Sequence, residues 1–419
     1  MEADAPGDRV SGAAPHIGPV PRIAIQAFCE TPDVASVIEA ASADRRMNKA
    51  HLKVQMGGAS AAVELYKSAP TPNVIVLEFA AGDGPQLVGA LEQLAESCDS
   101  GTKVVIIGHM NDIGLYRELI RRGVSDYLIT PMDTLRFIGA ISELYNAPGA
   151  EPVGRTVAVT GLKGGVGAST VAHNVAWGIA RTLNISTVIA DMDLGFGTAG
   201  LDFNQDPPQG IAEAVFSPDR LDSNFLDRLL SKCSETLSLL AAPATLDRLY
   251  DFQETSFDAV IDILRASTPC IVLDVPHVWT AWSRRMLIGA DDIVLVAAPD
   301  LANLRNAKSM MDVLRASRPN DRRPRLVINM AGVPKRPEIS VQDFAKAIDC
   351  QPDAVIPFDP ALFGTAANNG QMIAEVQPNG KINEAFLDLA RMLAGRTELK
   401  KSRGSLLAPL LDRFARKRA

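Results

Sequence analysis

Short apolar runs separated by longer stretches of mixed polarity set the rhythm of the chain. The first runs fall at residues 23–28, 74–77 and 104–107. Runs of this length without polar alternation predict strands buried on both faces, while the stretches between them carry the apolar spacing of helices. Residues 22–146 therefore predict a parallel sheet between helices. The same alternation recurs on a larger scale over residues 155–397, with strands at 156–160, 187–191, 270–274, 293–297 and 326–329. The expected fold class is α/β, with two doubly wound parallel-sheet domains, whose ligands sit beyond the carboxyl ends of the strands.

Both periodicities break at Ala147-Pro148-Gly149-Ala150-Glu151-Pro152-Val153-Gly154, an expected linker over 147–154. Residues 1–21 carry Pro6, Pro15, Pro19 and Pro21 among glycine and alanine, which predicts a disordered, mobile tail. Residues 398–419 form a second tail, with seven basic side chains against Glu398 and Asp412.

Composition narrows the function classes. The 419 residues are 47% hydrophobic and 22% charged, as in ordinary folded domains. With 42 Lys+Arg against 49 Asp+Glu the net charge is −7, so the whole molecule is no electrostatic match for nucleic acid, which is not an expected partner. No apolar run reaches the roughly 18–20 residues that cross a bilayer, and no basic stretch leads into an apolar one at the N-terminus. A cytoplasmic location is expected. The five cysteines are scattered and form no C-x-x-C pair, and the five histidines share no ligand spacing, so neither a disulfide framework nor a transition-metal site is expected. His173, Trp177, Trp279 and Trp282 read as core side chains.

The strongest motif is a strand over 156–160 running into Gly161-Leu162-Lys163-Gly164-Gly165-Val166-Gly167-Ala168-Ser169-Thr170 and then into a helix through Val175, Ile179 and Leu183. Glycines let consecutive backbone N–H groups converge on an anion, and the helix N-terminus adds about half a positive charge. The loop from Gly164 through Gly165, Val166, Gly167 and Ala168 thus predicts polyphosphate binding. Ser169 would offer its hydroxyl to Mg²⁺ and Thr170 would reach the α-phosphate. A hydride-transferring dinucleotide enzyme is disfavoured, because this loop is not a G-x-G-x-x-G fingerprint.

This loop resembles the deviant Walker A loop of the MinD/ParA ATPases, and Lys163 matches the early signature lysine that reaches across an ATP-sandwich homodimer. Ala168 stands where that family has its second lysine, and Leu162 replaces a common glycine. Losing that cation removes a contact to the β- and γ-phosphates, so hydrolysis is expected to be weak or slow. Three further segments resemble the family. Asp191 and Asp193 match its first switch, which helps position water and Mg²⁺. The strand ending in Asp274 matches Walker B, which holds a Mg²⁺-bound water. Asn329 and Pro357 match the segments that cradle adenine. The resemblance implies ATP and Mg²⁺ as cofactors, Lys163 and Asp193 in catalysis, and Ser169, Asp191 and Asp274 around the metal, directly or through water.

Residues 22–146 resemble a response-regulator receiver domain of flavodoxin type. Where a working receiver carries its acidic pair, acceptor aspartate, Thr/Ser and lysine, this chain has Cys29-Glu30, Glu78, Gly108 and Thr130-Pro131. Phosphotransfer is therefore not expected. Glu78 reads either as a fixed negative charge or as a plain strand-end carboxylate, and the domain as an interaction or localisation module. A degenerate receiver joined to a MinD-like ATPase resembles the CpaE/TadZ proteins of type IVc (Tad/Flp) pilus assembly. The resemblance implies a scaffold at a cell pole or at the inner face of the membrane, recruiting secretion and pilus components. An alternative is a ParA-type partition ATPase that binds DNA non-specifically. Leu407, Leu410, Leu411 and Phe414 could form one face of a short C-terminal helix. It reads as a membrane contact, a partner-docking helix or a solvated tail.

Overall fold

The computed structural model describes residues 17–80, 84–99, 101–145, 153–246 and 249–395. The tail over 398–419 and most of the linker lie outside these residues.

The first domain has five strands, β1 (Ala24–Cys29), β2 (His51–Met56), β3 (Val74–Phe79), β4 (Lys103–Gly108) and β5 (Asp126–Ile129). All pair in parallel, in the order β2-β1-β3-β4-β5 of a flavodoxin-type sheet. Their side chains alternate between two cores. Ile25, Ala27, Val74, Val76, Val105 and Ile107 pack on one face. Phe28, Ile75, Leu77 and Ile106 pack on the other. This period of two explains why the runs of β1, β3 and β4 are largely apolar, because neither face of those inner strands meets water, whereas the edge strand β2 is largely exposed. One expectation needs correction. Val20, placed in the mobile tail, is fully buried, and its N–H donates to Arg46 O at 2.8 Å. A proline-rich composition hid this anchor and Ile17, which packs against the same core.

The second domain adds β6 (Arg155–Gly161), β7 (Thr187–Asp191), β8 (Ser231–Lys232), β9 (Leu237–Leu240), β10 (Cys270–Val275), β11 (Asp292–Ala297), β12 (Arg325–Ala331) and β13 (Ala354–Pro357). The order is β13-β12-β11-β6-β10-β7-β9-β8. Every pairing is parallel except β8 with β9, a short antiparallel edge that the sequence reading did not anticipate. Strands β10 and β11 are buried at every position. Val157, Val159, Val272 and Val296 face one core, and Ala158, Leu273, Leu295 and Leu326 the other. Each such valine or leucine contributes about 1.5–3 kcal/mol by leaving water.

The two domains meet through a helical turn, Arg45–Met47. Arg45 Nε donates to Asp321 Oδ2 at 2.7 Å, and its Nη1 reaches Asp291 Oδ1 at 3.2 Å and Gly289 O at 3.1 Å. Arg46 also pairs with Asp321, and Asn320 Nδ2 donates to Asp44 Oδ2 at 3.0 Å. Burial of Asp321 opposes its charge, but Arg45 outweighs that cost and holds the carboxyl below its usual range.

Candidate functional site

The glycine loop leaves the carboxyl end of the central strand β6 and enters the helix Ala168–Trp177. Gly165 (φ 78°) and Gly167 (φ 79°) occupy the left-handed region, where a side chain would be strained. A Cβ added at Gly164 or Gly165 would meet nothing within 4 Å, so the loop borders open space on that side. Gly167 caps the helix without any side-chain hydrogen bond, which leaves the first-turn N–H groups unclaimed by a cap. A bare cradle of this shape fits a phosphate chain.

Side chains distant in sequence tether the loop. Asn329 Nδ2 donates to Val166 O at 2.8 Å, and a Cβ on Gly167 would lie 2.6 Å from that same nitrogen. Asn306 Nδ2 holds Leu162 O at 2.7 Å, and His277 Nδ1 lies 2.7 Å from Gly161 O. Asn329 thus grips the loop through Nδ2, a contact that the resemblance did not imply. Asn306 and His277 were missed, because no spacing rule links residues 116 to 144 positions from the loop they hold. Pro357 closes β13 opposite Ala331, at the same end of the sheet. Lys163 is half exposed, with Nζ 3.7 Å from Asp300 Oδ2.

Three carboxylates gather beside the loop. Asp191 and Asp274 are register partners on β7 and β10, so both emerge at one level. Asp191 is almost fully buried and accepts N–H bonds from Asp193 and Ala199, each at 3.1 Å. Gly197 must lack a side chain here, because its Cβ would sit 2.3 Å from Asp191 Oδ2. Burial, then the charge of Asp274, pushes the Asp191 carboxyl up to about 7. Asp193 accepts from Phe196 N at 3.0 Å and thereby shapes the following turn. His173 bridges the group, with Nδ1 2.7 Å from Asp202 Oδ2 and Nε2 3.4 Å from Asp274 Oδ2. Burial opposes its charge, but the hydrogen bonds to Asp202 and Asp274 prevail and raise the imidazole to about 10. His173 is buried, as expected of a core side chain, and its two ring nitrogens also face two acids. Trp279 departs from expectation and is half exposed, while Trp282 packs on Phe252 and Phe257 as a core residue should.

Among the described residues no group of three or more His, Cys, Asp or Glu side chains could hold a metal ion alone. Mg²⁺ characteristically keeps several waters and takes other ligands from phosphates, so one hydroxyl and nearby carboxylates suit it. Ser169, in the first turn of the helix, with Asp191 and Asp274 would supply that surround.

In the first domain the degenerate receiver positions converge at the carboxyl ends of the strands. Glu78 is fully buried and accepts from Glu30 N (2.7 Å), Thr31 N (2.9 Å) and Thr31 Oγ1 (2.6 Å), with His109 Nε2 at 2.9 Å. Burial alone would raise its pKa, and these bonds lower it instead. It is a keystone of the loops, not an outward-facing charge. A Cβ on Gly108 would lie 1.9 Å from Tyr127 Oη, which donates to Met110 O, so the ring stands where a receiver's Thr/Ser side chain would go.

No family model matches the chain. The septum site-determining protein MinD of Synechocystis sp. is 25% identical over 250 residues, 58% of this chain and 90% of that protein. The solved MinD of Pyrococcus horikoshii, complexed with Mg-ADP, is 20% identical, at a TM-score of 0.50 over 57% of this chain and 95% of that one. The pilus assembly protein CpaE of Caulobacter crescentus is 48% identical, covering 31% of this chain and 98% of that chain at a TM-score of 0.30. With 48% identity across nearly the whole of that solved chain, the protein belongs to the CpaE family, and its second domain has the MinD fold.

Proposed function

We propose that the protein is a nucleotide-controlled scaffold that binds ATP and Mg²⁺ and pairs with a second copy across the nucleotide. In that state it recruits components of a type IVc pilus assembly and secretion machine at a cytoplasmic, membrane-proximal or polar site. The observation that carries this reading is the open cradle formed by Gly164, Gly165 and Gly167 at the end of β6, with Lys163 projecting from it. Exposed Phe196, Leu201, Trp279 and Leu301 stand on segments that follow β7, β10 and β11, all at the loop's end of the sheet. A rim of large apolar side chains suits burial against a second copy. The Mg-ADP bound by the MinD of Pyrococcus horikoshii and the pilus role of the Caulobacter crescentus CpaE support the cofactor and the setting.

Ala168 leaves the loop one cation short of the usual pattern, so turnover is slow and the bound state long-lived. No helix among the described residues is long and apolar enough to cross a membrane, and membrane contact is assigned to the tail over 398–419. Calorimetric titration of ATP-Mg²⁺ with light scattering, on the intact chain and on Lys163→Ala, tests the reading. Binding accompanied by dimerisation that Lys163→Ala abolishes is expected. An intact chain that binds no nucleotide would refute it.

A further inference from the structure

The seam between the domains contains a cavity of about 110 Å³, lined by Arg46 and Lys49 from the first domain and by Thr156, Arg265 and Arg285 from the second. Arg265 is more than nine-tenths buried. Its Nη1 donates to Thr156 Oγ1 at 2.9 Å and to Asp291 Oδ2 at 2.8 Å. Its Nε and Nη2, the two donors along the other edge of the guanidinium, have no hydrogen-bond partner among the described residues. Neither has Nε of Arg46, which is equally buried. The two carboxylates in the wall are already engaged, Asp258 by Arg285 and Asp262 by Lys49. Three buried donors without partners thus sit on residues that line this space, and each carboxylate of its wall already pairs with a cation. Leaving such donors unmatched is costly, more so where the group is charged, and unfilled donors of this kind mark a missing water or ion.

The Nε/Nη2 edge of an arginine matches two oxygens of one oxyanion in a bidentate pair. The cavity has room for a group the size of a few waters, at about 30 Å³ of liquid volume each, and none for a nucleotide. We propose that this interdomain cavity binds a small oxyanion of the phosphate class, either free phosphate or the phosphate group of a small monoester, gripped by Arg265 and Arg46. Because the two arginines belong to different domains, occupancy bridges the domains and stabilises their docked arrangement. Asp291, which Arg265 holds, also accepts from Thr156 N at 2.9 Å at the start of β6, so the ligand sits at the base of the strand that ends in the glycine loop.

The test uses the full chain with a non-hydrolysable ATP analogue and Mg²⁺ present to occupy the glycine loop. Equilibrium dialysis with labelled inorganic phosphate, at fixed ionic strength, should find one saturable site per chain. Competition by glycerol 3-phosphate and by unlabelled phosphate then separates a monoester ligand from the free ion. Arg265→Lys keeps the charge and loses the paired edge, and should weaken binding at least tenfold. Arg46→Lys removes only the third donor and should weaken it less, which keeps the proposal testable if Arg265→Lys fails to fold. No saturable site in the intact chain overturns the proposal. A site left unchanged by both substitutions lies elsewhere on the chain and overturns it equally.

Discussion

Asn329 Nδ2 and Val166 O lie 2.8 Å apart, joining β12 to the glycine loop across 163 positions of sequence. Their hydrogen bond is buried, and it fixes the peptide just before Gly167, the residue that caps the helix Ala168–Trp177. The geometry of the cradle therefore depends on a residue from the far side of the sheet.

Asn329→Ala leaves the Val166 carbonyl buried without its donor, which should cost about 1–3 kcal/mol. The loss should appear as a lower Tm and as ATP-Mg²⁺ affinity reduced at least tenfold by calorimetry. Gly167→Ala should be worse for binding, because it adds strain at φ 79° and a 2.6 Å approach to the same amide. Unchanged affinity in both variants would show that the loop does not need this tether.

Ala168→Lys supplies the cation that the loop lacks. Single preorganised charge-stabilising donors are worth roughly 10²–10³ in rate elsewhere, and a gain in ATP turnover of at least tenfold is the expected outcome of a phosphate-release assay. Turnover that stays flat would place the limit elsewhere in the site.

The buried His173 sets an alkaline limit on stability in the nucleotide-free protein. Its folded pKa of about 10 lies above the ordinary 6.5, so its contribution is fully present below pH 6.5 and is lost as pH rises through 10. Asp191 acts in the same direction at lower pH, because its folded value of about 7 exceeds the ordinary 3.8. Thermal unfolding should therefore give a Tm that declines between pH 6 and pH 10. His173→Gln should flatten the upper part of that decline, and a parallel curve for the variant would disprove the assignment.

Glu78 works in the opposite sense. Its folded pKa is lowered, so its contribution is present above the ordinary 4.5 and disappears as pH falls through the folded value. Glu78→Gln replaces an acceptor with an amide that must face donors from Glu30 and Thr31, and should cost about 1–3 kcal/mol of stability. Denaturant unfolding of the variant checks this. Small phosphodonors should label neither protein on the first domain.

Asp321 ties Arg45, Arg46 and Arg318 together at the domain seam. Removing one partner of a buried ion cluster is destabilising by about 3–5 kcal/mol. Asp321→Asn should separate the unfolding of the two domains into distinct calorimetric transitions, whereas a single unshifted transition would mean the cluster does not couple them.

Much of this was written in the chain order itself. Strands such as 270–274 and 293–297 were legible because a strand buried on both faces must be apolar throughout, and few other elements are. The glycine loop was legible because Gly165 and Gly167 adopt a backbone that other residues resist, and the loop must be contiguous to wrap one ligand. The carboxylates Asp191 and Asp274 were legible as strand ends, since a charge following an apolar run marks where the sheet stops. What sequence could not give is whatever depends on which strands become neighbours. The pairing of β7 with β10 put Asp191 beside Asp274, and folding placed His173 between Asp274 and Asp202. The same holds for Asn329 on Val166, for Glu78 turned inward, and for Arg46 and Arg265 facing one cavity. Local propensity and hydrophobic period act over a few residues, so they specified the elements and the loop. Hydrogen bonds and charges act over a few ångströms regardless of sequence distance, so only the packed chain decided which polar groups meet, and with that how the site is held and what it can bind.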